Sequence, residues 1–511
     1  MDEKTIKEAL LEGERVTLEC KRAKSEVPKS VWETYSAFAN TYGGFILLGV
    51  HEDLKEKDIS KRFTIIGVDD VDKIRKDFWN IVNNPEKVNV NLLKDEDIET
   101  IVIDGKTIVA IRIPQADYNT RPVYINNNPI RGTFIRNHEG DFHCPEEMLT
   151  MMMRDANHDG NDRLFLKNYT MDDIDIPTLE RYRQRFHNRY AEHPFNDLDN
   201  QEFLRQMGGF TKDRESGLEC LNMAGLLMFG KGLPIRDRFD NLRLDYIDKS
   251  GLIGDQRYSD RLTYDGTWEN NLYNFVTMVL PKLTKELPRP FKMVGLERDD
   301  DTPQHKAIRE AMTNCIIHAD LMLNSVLKVE KYDNKFVFTN PGLLRLPVEQ
   351  IYAGEETRAR NQRIQSMLRM IGFGENLGSG FPLILSAWNE KHWLKPELIE
   401  QRELMQVKLI LSIETKEEKS PENVPVKMSD VLKNVLKDVH KDVLKELTER
   451  QLVILETICI SPNVTQQEMS TKLKVSKKTI QREFDAIRKR GINIDRQDGR
   501  KEGEWIIKIV K

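Results

Sequence analysis

The sequence predicts a multidomain α+β protein, and three observations support this prediction. The chain has 511 residues, more than a single hydrophobic core usually organises. Helical and strand patterns alternate in two long stretches and again near the C-terminal end. The polar stretch ETKEEKSPENVPVK (residues 414–427) contains two prolines and is typical of a linker. We expect five segments: an α/β domain over residues 1–150, a helical connector over 151–215, an α/β sandwich over 216–413, a linker and helix over 414–447, and a compact unit over 448–511.

The composition is that of a soluble globular protein, with 39% hydrophobic residues, 32% charged residues and a net charge of −5. The longest apolar run, FILLGV, is too short to span a bilayer, so we expect no membrane association. The five cysteines lie far apart and form no CxxC pair. This pattern indicates a reducing compartment and disfavours structural zinc or disulfides, so we expect a cytoplasmic protein.

The first 150 residues mix helix and strand signals. The stretch KSVWETYSAFANTYG (residues 29–43) has helical periodicity, and its glycine leads into a strand at GFILLGV. Two apolar runs flank Asp104 and Gly105, which predicts a β-hairpin. The stretch RPVYINNNPIRGTFIRN (residues 121–137) favours a second strand pair across its asparagines.

Between residues 216 and 413, one helical stretch carries an unusual polar row. In HKAIREAMTNCIIHAD (residues 305–320), Glu310, Asn314 and His318 are four residues apart and share one helix face. A solvated boundary helix would explain the row without any function. However, a strand with a Pro-Gly turn (KFVFTNPGLL) and a glycine-rich stretch (MIGFGENLGSGFPLI) follow, and glycines before a helix N-terminus let backbone N–H groups approach phosphate.

This order of motifs resembles the GHKL ATPase fold, and AIREAMTNCIIHAD, NPGLL and ENLGSGFPLI resemble its RecG-like C-terminal ATP-binding branch. The resemblance implies that ATP and Mg²⁺ are the cofactors. Asn314 would hold Mg²⁺ through its amide oxygen, and Glu310 would orient or deprotonate the attacking water. His318 would face the phosphates or cap a lid.

The resemblance also assigns the two glycine-containing turns. Asn340 and Gly342 stand where the family carries Asp-x-Gly to bind the adenine amino group, so Asn340 can accept that hydrogen bond but brings no charge. Gly378 and Gly380 would form the second glycine box. Arg358, Arg360 and Arg363 lie in the lid region, where they either meet phosphates or form a solvated helix face. A helicase P-loop is not expected, because the GKT at residues 105–107 lacks its upstream glycine.

The N-terminal segment resembles the Schlafen AlbA-like domain through EGERVTLECKRA and VWETYSAFANTYGGFILLGVHED. This resemblance implies nucleic-acid binding, and some family members cleave RNA with two Glu and a downstream acid. Glu14 and Glu19 match the pair, whereas His51 stands at a common Asp position, followed by Glu52 and Asp53. A metal-dependent nuclease, docking without cleavage, and a plain salt bridge between Glu19 and Lys21 all remain open.

Basic residues of the same segment are candidate phosphate contacts, with a scattered basic surface as the alternative. These residues are Lys21, Arg22, Lys24, Arg121, Arg131 and Arg136.

The C-terminal part contains a valine-rich helix and then a compact basic unit. Val431, Val435, Val439 and Val443 form an apolar stripe that either packs on a neighbour or self-associates as a homodimer. Residues 471–511 contain 13 Lys and Arg against 6 Asp and Glu. Three helical patterns and two strands follow the winged helix-turn-helix order, and Thr465 with Glu468 predicts a capping box.

We expect this unit to bind double-stranded DNA, with protein docking as the alternative. The third helix would contact bases and the wing would contact phosphates. The candidate residues are Lys477, Lys478, Thr479, Gln481, Arg482, Arg496, Arg500 and Lys501.

Taken together, the motifs favour a DNA-binding transcriptional regulator with a nucleotide-sensing GHKL-like domain. One alternative is an enzyme, either a metal-dependent nuclease or an ATPase acting on nucleic acid. Another is a scaffold that keeps the fold without a ligand, and the replacement of Asp by Asn340 favours it.

Overall fold

The computed structural model describes most of the chain, which divides into two compact units, Met1–Ile413 and Glu414–Lys511. The described residues are 3–12, 16–53, 55–157, 160–288, 293–294, 297–298, 301–354, 356–374, 380–415, 449–460, 464–472, 477–489, 492–497 and 504–509. None of the helices in these ranges is long and apolar enough to cross a membrane.

The N-terminal region is built on a four-stranded sheet with the order β1-β2-β6-β5, in which only β1 and β2 are parallel. Two hairpins, β3–β4 and β7–β8, accompany it. The elements are α1 (Glu3–Glu12), β1 (Leu18–Lys21), α2 (Val31–Asn40), β2 (Gly44–Leu48), β3 (Val50–Glu52), α3 (Ile59–Arg62), β4 (Phe63–Ile65), α4 (Val71–Val82), β5 (Ile98–Ile103), β6 (Lys106–Ile113), α5 (Pro129–Gly132), β7 (Phe134–Asn137), β8 (Gly140–His143) and α6 (Glu146–Asp155).

Helix α2 is almost entirely buried, and its two polar residues near the C-terminal end explain why the motif AFAN folds this way. Asn40 donates to the carbonyls of Val123 and Phe134 and accepts from the Val123 N–H at 2.8 Å. Ser36 donates to the Val123 carbonyl at 2.7 Å. These side chains satisfy backbone groups that would otherwise be buried without partners. The predicted helix, the strand after it and the Asp104-Gly105 hairpin are confirmed.

The strand pair predicted across residues 121–137 was wrong. Asn128 accepts from the N–H groups of Ile130 and Arg131, and Pro129 occupies the first turn of α5, so the chain turns into a short helix. Tyr124 and Thr133 form only an isolated bridge. Strand β7 pairs instead with β8.

The middle of the chain is mostly helical. Its elements are α7 (Ile176–Arg189), α8 (Asn200–Gln206), β9 (Phe210–Lys212), β10 (Glu219–Leu221), α9 (Met223–Phe229) and α10 (Gly232–Arg238). Helix α9 is fully buried, and Asn222 caps it by accepting from the Gly225 N–H at 3.0 Å. One hydrophobic core extends from Leu166 to Leu411. The boundary expected near residue 215 therefore falls inside that core.

A six-stranded sheet with the order β12-β11-β15-β16-β18-β17 supports the rest of this unit. Strands β11 and β15 are parallel, and the other neighbours are antiparallel. The elements are β11 (Arg243–Asp248), β12 (Asp260–Leu262), α11 (Leu272–Thr284), β13 (Met293–Val294), β14 (Glu297–Arg298), α12 (Pro303–Ile317), β15 (Val326–Lys331), β16 (Lys335–Pro341), α13 (Val348–Ala353), α14 (Gln362–Met370), α15 (Gly380–Glu390), β17 (Glu397–Gln401) and β18 (Gln406–Ser412).

Helix α12 has well-defined ends because side chains satisfy its terminal backbone groups. Thr302 caps the N-terminus and Pro303 occupies the first turn. At the C-terminus, Asn361 donates to the carbonyls of Ile316 and Ala319, each at 2.9 Å. The helix packs against α15, and this pair lies over the sheet.

The C-terminal unit has three helices followed by an antiparallel strand pair within its described ranges. The elements are α16 (Glu449–Ile460), α17 (Gln466–Lys472), α18 (Lys477–Lys489), β19 (Ile492–Gln497) and β20 (Glu504–Ile509). The capping box is confirmed, because Thr465 N–H donates to Glu468 and Glu468 N–H donates to Thr465 Oγ1. Ile480, Phe484 and Ile487 join the small core of this unit. The valine stripe at residues 431–443 lies outside the described residues.

Candidate functional site

A pocket of about 1020 Å³, a volume that includes its opening to solvent, lies between α12, β16 and the start of α15. Ligand pockets in proteins commonly have volumes of roughly 300–1,000 Å³. Five residues singled out in the sequence line this pocket, namely Glu310, Asn314, His318, Asn340 and Gly380. The structure therefore brings together polar groups from three separate elements.

The polar row of α12 faces the pocket as its helical spacing predicts. Glu310 is buried, and Asn314 and His318 are partly buried. A Cβ added at Gly380 would overlap the Glu310 carboxylate and would lie 3.5 Å from Asn314 Nδ2. A larger residue at the start of α15 would therefore require the Glu310 carboxylate to move.

Strand β16 contributes Phe338 and Asn340, which point to the same side of the sheet because they are two residues apart. The Asn340 side chain is buried, and its closest described partner is the Pro341 carbonyl at 3.5 Å from Nδ2. Its amide oxygen is available to accept a hydrogen bond from a ligand.

Gly342 has a structural role outside the pocket lining. Its φ is +102°, and a Cβ there would lie 3.0 Å from Arg360 Nη1 and 3.3 Å from the Asp320 Cβ. Glycine is required because the chain must pass close to the buried Arg360 side chain.

The expected lid arginines have three different environments. Arg358 is exposed at the pocket and pairs with Glu356 at 2.7 Å. Arg360 is buried and holds Asp155, while it also donates to the His318 carbonyl at 2.6 Å and the Leu343 carbonyl at 2.5 Å. Arg363 donates to the Gly208 carbonyl at 2.7 Å. Arg360 and Arg363 are thus anchored by the protein itself.

Asp155, at the end of α6, is a residue that the sequence reasoning missed. Its carboxylate accepts from both Arg345 and Arg360, and each closest contact is 2.7 Å. Burial alone would raise the pKa of Asp155, but Arg360 and Arg345 outweigh it and hold this pKa below its ordinary value, so the carboxylate stays ionised. No sequence signal links positions that are 190 and 205 residues apart. The N-terminal region therefore reaches the wall of the pocket through this carboxylate.

The imidazole of His318 is neutral at physiological pH. Burial, together with the nearby charges of Arg360 and Arg345, lowers its pKa to about 3. A hydrogen bond to the backbone of Arg358 opposes this shift but does not reverse it. His318 can therefore contribute a hydrogen bond to a ligand but no positive charge.

The acids of the N-terminal region have a different arrangement. Glu19 pairs with Lys21 at 2.5 Å and with Arg136 at 2.8 Å, and Arg136 also pairs with Asp141 at 2.9 Å. Glu52 pairs with Arg62 at 2.8 Å. Glu14 lies outside the described residues. In the ranges that the structure describes, no group of three or more His, Cys, Asp or Glu residues is placed to hold a metal ion.

Four of the candidate DNA-binding side chains on α18 are exposed, namely Lys477, Lys478, Gln481 and Arg482, whereas Thr479 is partly buried. Gln481 accepts a hydrogen bond from Gln466 at 2.9 Å. Asp485 pairs with Arg488 at 3.1 Å, so this acid is balanced within the helix. Arg500, Lys501 and the side chain of Arg496 lie outside the described part of the structure.

Family models match three stretches of the chain. Residues 14–145 match "Schlafen, AlbA_2", residues 325–409 match "Putative ATP-dependent DNA helicase recG C-terminal", and residues 150–245 match "Domain of unknown function (DUF8451)". The Schlafen AlbA-like and RecG-like C-terminal resemblances are thereby confirmed. The RecG-type match begins after α12, so it includes Asn340 and Gly342 but not Glu310, Asn314 or His318.

Solved structures also resemble the chain. The DIP2311 protein from Corynebacterium diphtheriae is 18% identical, with 98% of this chain and 83% of that chain covered and a TM-score of 0.37. The N-terminal domain of a RecG-related protein from Nitrosomonas europaea is 25% identical, with 28% of this chain and 94% of that chain covered and a TM-score of 0.22. No curated protein matches the chain. The two domain types indicate a nucleic-acid-related ATPase or regulator.

Proposed function

We propose that the protein is a nucleic-acid-binding regulator that senses a nucleotide in the pocket between α12, β16 and α15. The observation that carries this proposal is the convergence of Glu310, Asn314, Asn340 and Gly380 on one cavity. These residues come from three elements, and their polar groups face a space of nucleotide size. A helix face that was merely solvated would not line a pocket together with two other elements.

The residues present fit Mg²⁺ and a phosphate chain. The Asn314 amide and the Glu310 carboxylate supply the oxygen ligands that Mg²⁺ prefers. Gly380 lets the N-terminus of α15 approach them, and backbone N–H groups at a helix N-terminus favour phosphate. When bound, the metal ion would neutralise phosphate charge. Asn340 would accept a hydrogen bond from the exocyclic amine of the base.

Two further regions supply the nucleic-acid side of the proposal. The AlbA_2-type domain is of the kind associated with nucleic acid, and α18 exposes Lys477, Lys478 and Arg482 on its outer face. Long basic side chains at the start of a helix suit the phosphates and bases of a DNA groove. We propose transcriptional regulation as the role, with the nucleotide changing the affinity of the chain for DNA.

The test is calorimetry of ATP–Mg²⁺ binding to the full chain. We expect Asn314→Ala to weaken binding at least tenfold, because it removes an oxygen that holds the metal ion. Asn389→Ala is the matched control, because Asn389 is exposed on α15 away from the pocket and its loss should not change the affinity. No binding by correctly folded wild-type protein would refute nucleotide sensing and would leave a nucleic-acid-binding scaffold.

A second measurement separates a regulator from a passive binder. The affinity for a labelled DNA duplex should differ by at least fivefold with and without ATP–Mg²⁺, since useful coupling energies are about 1–3 kcal/mol. The same measurement on Asn314→Ala should show no effect of ATP. An unchanged DNA affinity in the wild type would contradict the regulatory role even if ATP binds.

A further inference from the structure

Helix α6 directly follows the AlbA_2-type region, which ends at residue 145. On its buried face, Met148 and Met152 share a small core with Leu343, a residue that lines the pocket. Near the end of the helix, Arg154 pairs with the buried Asp320 at 2.6 Å. The N-terminal region is therefore docked through α6 on residues that form or adjoin the pocket wall.

The last residue of α6 adds a charged contact. Asp155 pairs with Arg345 and Arg360, and both arginines line the pocket. The Arg345 guanidinium also lies over the ring of Tyr118 in the AlbA_2-type region, 4.9 Å from the centroid. Arg360 donates to the carbonyl of His318, which belongs to the polar row. The three residues Asp155, Arg345 and Arg360, here called the Asp155 cluster, thus contact both the N-terminal region and the pocket.

The charges of the Asp155 cluster do not cancel. Two arginines share one carboxylate, and the exposed fractions are only 8% for Arg345, 2% for Arg360 and 5% for Asp155. The other acids that act on Arg360, Asp320 and Glu400, form ion pairs of their own. Within the contacts of the described residues, one positive charge is therefore in excess beside the pocket. A buried charge without a partner is destabilising.

We propose that the Asp155 cluster couples the nucleotide pocket to the AlbA_2-type region, so that an anionic ligand in the pocket strengthens the docking of α6. This inference rests on the proposed nucleotide site and names how that site regulates the chain. Asp155 does not line the pocket, so it holds Arg345 and Arg360 from the side away from the cavity. A phosphate group in the pocket compensates the excess charge, and the two arginines meet it without a further ordering cost.

The thiol of Cys144 provides a probe of this docking. Cys144 lies just before α6, is 6% exposed and belongs to the same small core as Met148. Burial raises the pKa of its thiol to about 12, so alkylation requires this core to open. Cys220 on β10 is equally buried but lies outside this core, and it serves as the internal control.

The experiment measures alkylation of the native full chain by iodoacetamide, with each cysteine followed by mass spectrometry. Saturating ATP–Mg²⁺ should slow the alkylation of Cys144 in the wild type at least about fivefold, the lower end of ordinary coupling between sites. The rate at Cys220 should change less than about twofold. Asp155→Asn should make Cys144 react faster without nucleotide, and ATP–Mg²⁺ should then slow it by less than about twofold.

Met152→Ala separates the charged link from a general loosening of α6. This variant loses apolar contacts but keeps Asp155, so Cys144 should react faster while ATP–Mg²⁺ still slows it at least about fivefold. A purely structural role of Asp155 would instead give both variants the same response to ATP–Mg²⁺. If Asp155→Asn does not fold, Arg345→Lys replaces it, because lysine keeps the charge but loses the fork that holds Asp155.

Calorimetry on the same samples distinguishes failure of the coupling from failure of nucleotide sensing. ATP binding to the wild type with an unchanged rate at Cys144 would refute the coupling and leave sensing intact. Faster alkylation with ATP would show that phosphate competes with Asp155, which is the opposite of the proposal. Equal rates for wild type and Asp155→Asn without nucleotide would refute the link whether or not ATP binds.

Discussion

Two clusters of polar residues stand out in the sequence, and they differ in what the fold does with them. Around Glu19, every charged group meets an opposite charge, so Lys21, Arg136 and Asp141 close the cluster. Around Asn314, the polar groups face a cavity. The side-chain amide of Asn314 makes no hydrogen bond within the described residues. The first cluster is held together by ion pairs within the protein, whereas the second lines a cavity, where the proposal above places a nucleotide.

The comparison shows that motif spacing alone does not separate a structural site from a binding site. Glu19 and Lys21 share a strand face, and Glu310 and Asn314 share a helix face, so both pairs follow the expected periodicity. What distinguishes them is the partner supplied by a distant element. Arg136 comes from β7 and forms an ion pair with Glu19. Gly380 comes from α15 and places no side chain beside Glu310 and Asn314.

The largest expected effect is on the stability that the ion pairs around Glu19 provide. Glu19→Gln removes one partner of the buried Arg136 and should lower the free energy of unfolding by about 3 kcal/mol. Asn314→Ala should change it by less than about 1 kcal/mol, because no described hydrogen bond is lost and alanine favours the helix. Urea denaturation measures both, and Glu33→Gln, an exposed change on α2, is the control.

An equal loss of stability in Glu19→Gln and Asn314→Ala would remove the distinction between the two clusters. It would mean that Asn314 also has a structural role, and the pocket would then lose its main support as a binding site.

The next effect concerns the polar cluster around Asn314 that lines the pocket. Gly380→Ala places a Cβ against the Glu310 carboxylate and should cost about 2 kcal/mol, the usual cost of overpacking. The double variant Gly380→Ala with Glu310→Ala should recover at least about 1 kcal/mol, because the second change removes the overlapping atoms. The measurement is a double-mutant cycle by urea denaturation. Simple additivity would show that Gly380 is not needed for this contact.

The elements and the local motifs were predictable from the sequence because short-range patterns determine them. Helices α2 and α12, the hairpin at Asp104-Gly105 and the capping box at Thr465 all follow from residues close together in the chain. The polar row of α12 was predictable for the same reason. These features need only periodicity and turn chemistry.

The remaining features depend on contacts between distant residues. Nothing near Asp155 indicates that it binds Arg345 and Arg360, and nothing near Arg136 indicates that Glu19 needs it. The strand pair across residues 121–137 failed because Asn128 and Pro129 start a helical turn, a capping signal that outweighs the alternating pattern. The Asn128 cap and Pro129 therefore determine the conformation of this segment.

The smallest expected effect is a pH dependence of stability that arises from His318, beside Asn314 in the pocket. The pKa of His318 is about 3 in the folded chain and about 6.5 when unfolded, so the unfolded state binds its proton more tightly between these values. The stabilising contribution of the neutral imidazole is therefore complete above pH about 6.5 and is lost progressively as the pH falls toward 3. Between pH 7 and pH 5 the loss should be about 1–2 kcal/mol.

His318→Gln keeps a polar side chain that does not titrate. Between pH 7 and pH 5, the unfolding free energy of this variant should therefore fall by about 1–2 kcal/mol less than that of the wild type. Subtracting the two curves removes the other titrating groups that the proteins share. An identical pH dependence would show that neither burial nor the Arg360 and Arg345 charges lower the pKa of His318. Asp155 holds both arginines in place. Such a result would therefore also mean that this carboxylate, which comes from the N-terminal region, does not influence the protonation of His318 in the pocket.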